Sequence, residues 1–307
     1  MYDIIIIGGG PAGLTAGLYS ARARLDVLLL ERLAPGGQVL TTDWVENYPG
    51  FPDGVSGFEL IDRMKAQAEK FGLRIQTEDV SRVDLSGQKK VVYTSQGQLE
   101  TKAIILACGA TWKKLGIEGE EDLIGRGVSF CATCDGPFYR DQEVAVIGGG
   151  DTAVEEALFL TRFVSKVYLI HRRDELRATK LLQERAMAEK KIEFIWDTVP
   201  QRILGHDGVE AIELRNVKTG SVSKKDVKGV FVFIGTIPNT ELVKGQVELD
   251  ESGSVITDNN METSVPGVFA AGDLRSKLFR QISTAVGEGA AASFAAEKYV
   301  ENYKERG

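Results

Sequence analysis

A short apolar run, interrupted only by Asp3, lies at the start of the chain and is followed at once by glycines. Residues 2–7 are typical of a buried strand, and a run rich in Ala and Leu then predicts a helix to about residue 24. A second apolar strand is predicted at 26–30. Because the apolar residues of these strands are consecutive rather than alternating, the strands are typical of a parallel sheet covered on both faces. The pattern predicts the first βαβ unit of a dinucleotide-binding fold.

The same order of elements recurs later in the chain. A strand at 143–147, three glycines, a helix to about 162 and a strand at 167–170 repeat the opening pattern. A single repeat at this distance is typical of two domains of one type, not of a solenoid. Apolar strands that end on Gly109 and Gly235 are each expected to return the chain to the sheet of their own domain.

A third glycine site lies near the end of the chain. A short apolar strand there leads into Gly272 and Asp273, and a last helix is predicted at 282–303. The carboxyl ends of strands are where open α/β sheets bind ligands. We therefore predict an α/β fold of two Rossmann-like domains, the second inserted into the first. The expected segments are the first domain at 1–115 and 245–307 and the inserted domain at 116–244.

Composition narrows the functional class. The chain has 307 residues, is 43% apolar and 26% charged, and has a net charge of −7. An acidic surface disfavours nucleic acid and anionic membranes as main partners. No apolar run has the length of a membrane helix, and no signal peptide is recognisable, so we expect a cytoplasmic protein. A disulfide framework needs an even and larger number of cysteines, whereas this chain has three.

The first glycine turn is a candidate nucleotide site. Gly8, Gly10 and Gly13 are spaced for a tight turn in which the backbone approaches a pyrophosphate at the start of a helix. Glu31, 23 residues after Gly8, follows the second strand, where a carboxylate accepts hydrogen bonds from ribose hydroxyls. The alternative is a structural glycine-rich turn. The context favours a nucleotide with a free ribose 2′-hydroxyl, such as FAD.

The second glycine turn carries the opposite charge. When Gly148 is aligned with Gly8, the position of Glu31 is taken by His171, followed by two arginines. Guanidinium groups bind a ribose 2′-phosphate that a carboxylate would repel, which favours NADPH over a solvated basic patch. The candidate NADPH-binding residues are Gly148, Gly150, Asp151, Thr152, Ala153, His171, Arg172, Arg173 and Arg177.

Cys131 and Cys134 precede the second glycine turn, and Asp135 follows them directly. Three interpretations stand: half of a zinc site, an inert pair of core residues, or a redox-active pair. A zinc site needs about four ligands, and the sequence contains no second Cys pair to complete one, so we expect no metal. Asp135 is either a proton donor to a departing thiolate or a helix cap. Cys108 is expected to be a small buried residue in an apolar strand.

At this point the motifs match a known family. The chain resembles the low-molecular-weight, bacterial-type thioredoxin reductases over essentially its whole length. The residues that carry the resemblance are Gly8 to Gly13, Gly36-Gly37-Gln38, Val45-Glu46-Asn47-Tyr48-Pro49-Gly50, Cys131 to Gly136, Gly148 to Ala153 with Glu155 and Glu156, His171 to Glu175, Gly272-Asp273 and Arg280-Gln281.

The resemblance implies a homodimer that uses FAD and NADPH to reduce the disulfide of thioredoxin. It further implies that Cys134 lies nearer the flavin, that Cys131 attacks the thioredoxin disulfide, and that Asp135 is the acid–base residue. Gln38 and Asn47 would reach the flavin, Asp273 would bond the ribityl chain and Gln281 would lie near the ring. The FAD-binding residues so expected are Gly8, Gly10, Pro11, Ala12, Gly13, Glu31, Gly37, Gln38, Asn47, Gly109, Gly272, Asp273, Arg280, Gln281 and Ile282.

Four other functions compete with this interpretation. An alkyl hydroperoxide reductase flavoprotein would use the same module on a different thioredoxin-like or glutaredoxin-like partner, with extra N-terminal domains. Larger disulfide reductases space their cysteines by four residues and use a C-terminal His, whereas no His follows His206. Relatives without NADPH should lack the Arg172–Arg173 cluster, and a flavin-binding protein without turnover would not need the Cys pair.

Overall fold

A computed structural model describes residues 1–42, 44–45 and 47–303 of the chain. Glu46, one of the residues that carry the family resemblance, lies outside the described residues. The contacts divide the chain into two compact units. The flanking unit comprises Met1–Asp43, Tyr48–Thr111 and Ile237–Gly307, and the inserted unit comprises Trp44–Asn47 and Trp112–Thr236.

The strands and helices are numbered here in chain order. The strands are β1 Tyr2–Ile7, β2 Val27–Glu31, β3 Arg74–Thr77, β4 Val80–Asp84, β5 Lys90–Thr94, β6 Gly97–Leu106, β7 Ala110–Trp112, β8 Val128–Ser129, β9 Glu143–Gly148, β10 Lys166–Ile170, β11 Ile192–Ile195, β12 Thr198–Gly205, β13 Val209–Asn216, β14 Val222–Asp226, β15 Gly229–Phe233, β16 Thr236–Pro238 and β17 Val268–Ala270. The helices are α1 Pro11–Arg22, α2 Gly57–Lys70, α3 Ala132–Asp135, α4 Asp151–Leu160, α5 Lys180–Ala188 and α6 Ile282–Glu301.

The sheet of the flanking unit is built around β1. Its strand order is β3-β2-β1-β6-β5-β4, with β17 paired to β6. Strand β1 pairs in parallel with β2 and β6, so that Ile4 faces Val27 on one side and Ala103 on the other. Successive side chains point to opposite faces of a strand. Ile4 accordingly packs with α1 and α6, and Ile5 packs on the opposite face, which explains why β1 is continuously apolar from Ile4 to Ile7.

The inserted unit repeats this arrangement. Its parallel sheet has the order β11-β10-β9-β15-β8, so that β9 lies between β10 and β15 as β1 lies between β2 and β6. The register pairs Ile147 with Ile170 and Val144 with Gly229. The predicted α/β class with two Rossmann-like units is confirmed. The paired strands and the first helix of each unit lie within two residues of their predicted positions.

The change from one unit to the other occurs within paired strands. Apart from the short segment Trp44–Asn47, it falls between residues 111 and 112 and between 236 and 237, whereas the sequence suggested 115/116 and 244/245. Strands β7 and β16, which contain these two points, form a two-stranded sheet. A boundary inside a strand carries no Gly- or Pro-rich signal of the kind that marks a linker. This explains the displacement of several residues.

Two antiparallel segments were not predicted. Strands β12, β13 and β14 form a three-stranded sheet in the inserted unit, and β4, β5 and β6 form a meander in the flanking unit. In β13 the buried residues are interrupted by exposed Glu210 and Arg215, so the strand lacks the continuous apolar run of β1. Across the described residues, no helix is both long and apolar enough to cross a membrane.

Helices α1 and α6 of the flanking unit approach each other through small residues. A β-carbon added at Gly289 would lie 2.3 Å from the carbonyl oxygen of Ala12. The hydroxyl oxygens of Ser20 and Ser293 lie 2.6 Å apart in the same interface. This contact holds the start of α1, and therefore the first glycine turn, against α6.

We predict that Gly289→Ala lowers the free energy of unfolding by about 1–3 kcal/mol, because the added methyl group collides with backbone that cannot move independently. The matched control is Gly287→Ala on the same helix, where a β-carbon meets nothing within 4 Å. That change should be neutral or stabilising by up to about 1 kcal/mol, because Ala favours helix more than Gly does. Chemical denaturation followed by circular dichroism measures both. Equal stability of the two variants would contradict the packing described here.

Candidate functional site

The first glycine turn leaves no room for side chains at two positions. A β-carbon at Gly8, whose φ is +108°, would lie 2.4 Å from the carbonyl oxygen of Ala107, and one at Gly13 would lie 1.9 Å from that of Gly8. At Gly10 a β-carbon would meet nothing within 4 Å. Helix α1 begins with Pro11 immediately after it. Open space therefore lies beside the start of α1, where a pyrophosphate site requires it.

Glu31 is fixed at the edge of this turn. Its Oε2 accepts a hydrogen bond from the Gly9 amide at 2.7 Å, and its Oε1 accepts one from the Leu33 amide at 3.1 Å. Glu31 is the last residue of β2, so its carboxylate stands at the carboxyl end of the sheet. This is the position from which an acid binds ribose hydroxyls.

The loop that follows β2 returns to the same turn. The Gly36 amide donates to the Gly9 carbonyl at 2.8 Å. Gly37 has a φ of +56°, which is uncommon for residues other than Gly, and it begins the 3₁₀ helix Gly37–Thr41. The side-chain amide of Gln38 donates to the Ala110 carbonyl. The loop thus joins the first glycine turn to the start of β7.

Cys108 lies beyond the end of β6, where the sequence had placed it within the strand. The chain turns there, because Gly109 adopts a φ of +67° and accepts a hydrogen bond from the Asn239 amide at 3.0 Å. Burial, followed by the negative charge of Glu31, raises the pKa of the Cys108 thiol to about 12. Cys108 is partly rather than fully buried and packs against the core of the flanking unit, and a thiol held protonated is a poor nucleophile.

A buried charge cluster supports the third glycine site. The Gly272 amide donates to Glu288 Oε2 at 2.7 Å. Glu288 Oε1 lies 3.1 Å from Arg275 Nη1 and 3.1 Å from Lys277 Nζ, and that ammonium lies 3.0 Å from Asp273 Oδ1. The side chains of Arg275, Lys277 and Glu288 are almost entirely buried. A charge in such surroundings is stable only when paired, so the cluster fixes the backbone at Gly272 and Asp273.

The segment that follows this cluster leads into α6. Arg280 Nε donates to the Asp273 carbonyl at 3.3 Å. Gln281 precedes α6 and forms a reciprocal cap with Thr284, whose hydroxyl accepts from the Gln281 amide at 3.1 Å. Ile282 is the first residue of α6 and packs against the core of the flanking unit. Hydrogen bonds to the backbone and the start of α6 therefore fix the positions of Arg280, Gln281 and Ile282, which are expected to lie near the flavin.

Of the residues expected to bind FAD, the flanking unit contains all except Asn47. Asn47 is grouped with the inserted unit, in the segment Trp44–Asn47, and its side chain is exposed.

The second glycine turn repeats the geometry of the first. A β-carbon at Gly148 would lie 2.5 Å from Ala153 Cβ and 2.6 Å from the Phe233 carbonyl oxygen. Helix α4 begins at Asp151, directly after Gly150. Asp151 Oδ1 accepts from the Thr179 amide at 2.6 Å, which ties the turn to the segment before α5. The inserted unit contains all nine residues expected to bind NADPH.

His171 takes the place that Glu31 occupies in the other unit. A β-carbon at Gly149 would lie 2.3 Å from the imidazole ring, as one at Gly9 would lie 3.2 Å from Glu31. The His171 side chain is buried, and within the described residues its Nε2 has no hydrogen-bond partner. Burial, and then the neighbouring positive charges, hold the pKa of His171 below its ordinary value, so the ring is neutral at pH 7.

The neighbouring positive charges belong to three exposed arginines. Arg172, Arg173 and Arg177 lie in the segment between β10 and α5, and the Arg177 amide donates to the Gly149 carbonyl at 2.7 Å. Among the described residues no carboxylate lies within ion-pair distance of any of the three guanidinium groups. Unpaired guanidinium groups around a glycine turn are suited to bind phosphate.

The two cysteines form a disulfide at the start of a short helix. Cys131 and Cys134 are bonded, with their Cα atoms 5.3 Å apart, and α3 begins between them at Ala132. Cys131 Sγ accepts a hydrogen bond from the Cys134 amide at 3.2 Å. The Cys131 amide donates to Ser129 Oγ at 3.1 Å. The sulfurs are thus bonded to each other in a redox-capable arrangement.

Asp135 ends α3 and precedes the 3₁₀ helix Gly136–Tyr139. Its side chain makes no capping hydrogen bond to that helix. Burial, followed by the negative charge of Asp135, raises the pKa of the Tyr139 phenol to about 12. Asp135 therefore acts electrostatically on its surroundings rather than as a cap of the next helix.

Comparison with known proteins places these sites in a family. The profile of the pyridine nucleotide-disulphide oxidoreductases matches residues 2–289. A thioredoxin reductase of Peptoclostridium litorale is 50% identical, with 98% of each chain covered. The chain belongs to the thioredoxin reductase family. The crystal structure of thioredoxin reductase from Streptococcus pyogenes MGAS5005 is 49% identical, covers 99% of both chains and superposes with a TM-score of 0.93.

Another relative is named for both thioredoxin reductase and thioredoxin. A bifunctional thioredoxin reductase/thioredoxin of Mycobacterium leprae is 49% identical over 98% of this chain, which covers 66% of that longer protein.

In this member of the thioredoxin reductase family, three side chains hold backbone amides beside the expected site residues, and the sequence analysis gave none of them this role. Ser129 holds the Cys131 amide, Glu156 on α4 accepts from the Ala132 amide at 3.1 Å, and Glu288 holds the Gly272 amide. Glu156 was part of the family resemblance, but nothing in the pattern said which atom it contacts. Glu156 and Glu288 meet partners in other elements, and such contacts leave no local signal.

Proposed function

We propose that the chain carries electrons from NADPH through FAD to the Cys131–Cys134 disulfide, and from the resulting dithiol to the disulfide of thioredoxin. The observation that carries the proposal is the disulfide at the start of α3, in the same unit as a glycine turn surrounded by unpaired arginines. The names of the relatives supply the acceptor, and the relative from M. leprae bears the names of both reductase and thioredoxin.

FAD fits the flanking unit. FAD supplies a two-electron carrier between nicotinamide and disulfide. Gly8 and Gly13 allow the backbone to approach as closely as the pyrophosphate of FAD needs. Glu31 is held where it would bind the ribose of the adenosine half. Gly272 and Asp273, fixed by Glu288 and Lys277, are proposed to hold the ribityl chain. The other residues proposed to bind FAD are Gly10, Pro11, Ala12, Gly37, Gln38, Asn47, Gly109, Arg280, Gln281 and Ile282.

NADPH fits the inserted unit. NADPH supplies the hydride. The unpartnered Nε2 of buried His171 is a polar atom that a bound dinucleotide would satisfy, because an unpaired buried polar atom costs stability. Arg172, Arg173 and Arg177 are proposed to bind the 2′-phosphate. The pyrophosphate is proposed to lie on the start of α4, from Gly148 and Gly150 to Asp151, Thr152 and Ala153.

Thiol–disulfide exchange completes the reaction. We infer that the reduced Cys131 sulfur, as thiolate, attacks one sulfur of the thioredoxin disulfide and forms a mixed disulfide. Cys134 then attacks the Cys131 sulfur, which restores the internal disulfide and releases thioredoxin as a dithiol. The hydrogen bond from the Cys134 amide to Cys131 Sγ supports Cys131 as the attacking thiolate. Asp135 is proposed to exchange the protons that these steps consume and release.

We further propose a cytoplasmic homodimer. Only three cysteines are present and two form the redox pair, which suits a reducing compartment. Large apolar side chains of the flanking unit are exposed in the single chain, which supports a contact with a second copy. They include Phe58, Leu278, Phe279 and Phe294. An alkyl hydroperoxide reductase function, in which another thioredoxin-like protein is the acceptor, is not favoured by the relatives.

We predict that Cys131→Ser and Cys134→Ser each reduce thioredoxin turnover about 10³-fold or more, because either change removes one sulfur of the exchange. Both variants should retain FAD, since the cysteines belong to the inserted unit. Cys108→Ser is the matched control and should keep turnover within about twofold, because that thiol is held protonated. Normal turnover by either redox-pair variant would contradict the proposal.

We predict that the double change Arg172→Ala and Arg173→Ala raises the KM for NADPH about 10-fold or more, with the KM for NADH within about twofold. NADH lacks the 2′-phosphate that the guanidinium groups are proposed to bind. Arg215→Ala, at an exposed arginine of the same unit, is the control. Steady-state kinetics with both nucleotides measures the effect, and equal changes in the two KM values would remove the arginines from the phosphate site.

A further inference from the structure

Glu156 places a carboxylate against the first turn of the redox helix. It lies in the middle of α4, and its Oε2 accepts a hydrogen bond from the Ala132 amide at 3.1 Å. Ala132 is fully buried and is the first residue of α3, next to Cys131. Gly136, just after α3, leaves space for a close approach to α4, because a β-carbon there would lie 3.0 Å from Leu160 Cδ2. Helices α3 and α4 are therefore packed tightly at this point.

The amide that Glu156 binds would otherwise lack a partner. The first N–H groups of a helix have no acceptor within the helix, and a buried one is costly to leave unpaired. Cys131 Sγ accepts from the Cys134 amide, and Glu156 accepts from the Ala132 amide. A sulfur and a carboxylate thus share the donors at the start of α3. This arrangement brings a negative charge close to the atom that becomes the thiolate.

The surroundings of Glu156 limit how far this charge is screened. Burial, and then the negative charge of Glu155, raise the pKa of the Glu156 carboxyl, whereas the backbone amides of Ala132 and Thr133 lower it. Cysteine thiols ordinarily titrate about four units above glutamate, and the Ala132 amide donates to the Glu156 carboxylate, which favours its charged form. The other titratable groups around Glu156 and the pair are Glu155, Arg162 and Arg185, which line the same hollow, and Asp135 and Tyr139, which follow the pair in the chain.

We propose that Glu156 is a positioning residue for the redox pair: it holds the first turn of α3, and its negative charge sets the pH range in which Cys131 becomes a thiolate. The proposal rests on the proposed function in taking Cys131 as the attacking sulfur. A negative charge opposes the formation of a second one beside it. Glu156 therefore keeps the dithiol more protonated than the helix N-terminus alone would.

The test compares Glu156→Gln with Glu155→Gln. Glutamine keeps an oxygen that accepts from the Ala132 amide but removes the charge, and Glu155 is an exposed acid on the same helix. The FAD-containing protein is reduced anaerobically with dithiothreitol, desalted and alkylated with iodoacetamide from about pH 5 to pH 10. Peptide mass spectrometry then measures the modification of Cys131. The pH profile is compared rather than the rate at one pH, since nucleophilicity falls with thiolate basicity.

We expect Glu156→Gln to move the half-maximal pH of Cys131 alkylation down by about 0.5–1 unit, and Glu155→Gln to move it by less than half as much. An unchanged profile in Glu156→Gln, or an equal shift in both variants, would overturn the proposal. Bound FAD and circular dichroism check that each variant is folded, and Glu156→Ala, which removes the acceptor together with the charge, should move the profile in the same direction; no shift in that variant would also overturn the proposal. Because the readout is thiol titration, a protein that fails to reduce thioredoxin but shows the shift would contradict the proposed function alone.

Discussion

The close approach of backbone to backbone at two strand-to-helix turns is the constraint on which the rest of the structure depends. A β-carbon at Gly8 would collide with the carbonyl group of Ala107, and one at Gly148 with that of Phe233. Each turn therefore brings three elements together: its own strand, the helix that follows and the neighbouring parallel strand. The start of the helix is thereby held at the carboxyl end of the sheet, and both proposed nucleotide sites rest on this arrangement.

Since the two turns are alike, the residues beside them distinguish the sites. Glu31 binds the amide of one turn with a negative charge, and neutral His171 packs on the other with arginines around it. The same scaffold therefore holds sites of opposite charge, one suited to a free ribose hydroxyl and one to a phosphate. The disulfide at α3 lies in the unit with the positive site and is supported from α4, the helix that begins at that turn.

Local patterns in the sequence predicted the parts of the molecule that are fixed locally. The core strands, the glycine turns and the Cys pair at 131 and 134 were recognised because apolar runs, glycine spacing and cysteine spacing are short-range features. Antiparallel β12–β14 was missed because its strands keep one polar face. The contacts of Glu156 and Glu288 join elements distant in sequence, and periodicity does not reveal which partner a polar side chain meets. Cys108 was misplaced by two residues because Gly109 turns the chain early.

The most direct test of the account is an anaerobic titration with NADPH followed by flavin absorbance. If electrons pass through FAD to the cysteine pair, the wild-type protein should take up about two equivalents of NADPH per flavin, one for the flavin and one for the disulfide. The variant with serine at both positions 131 and 134 should take up about one equivalent, because only the flavin remains. Uptake of one equivalent by both proteins would show that the pair receives no electrons and would contradict the account.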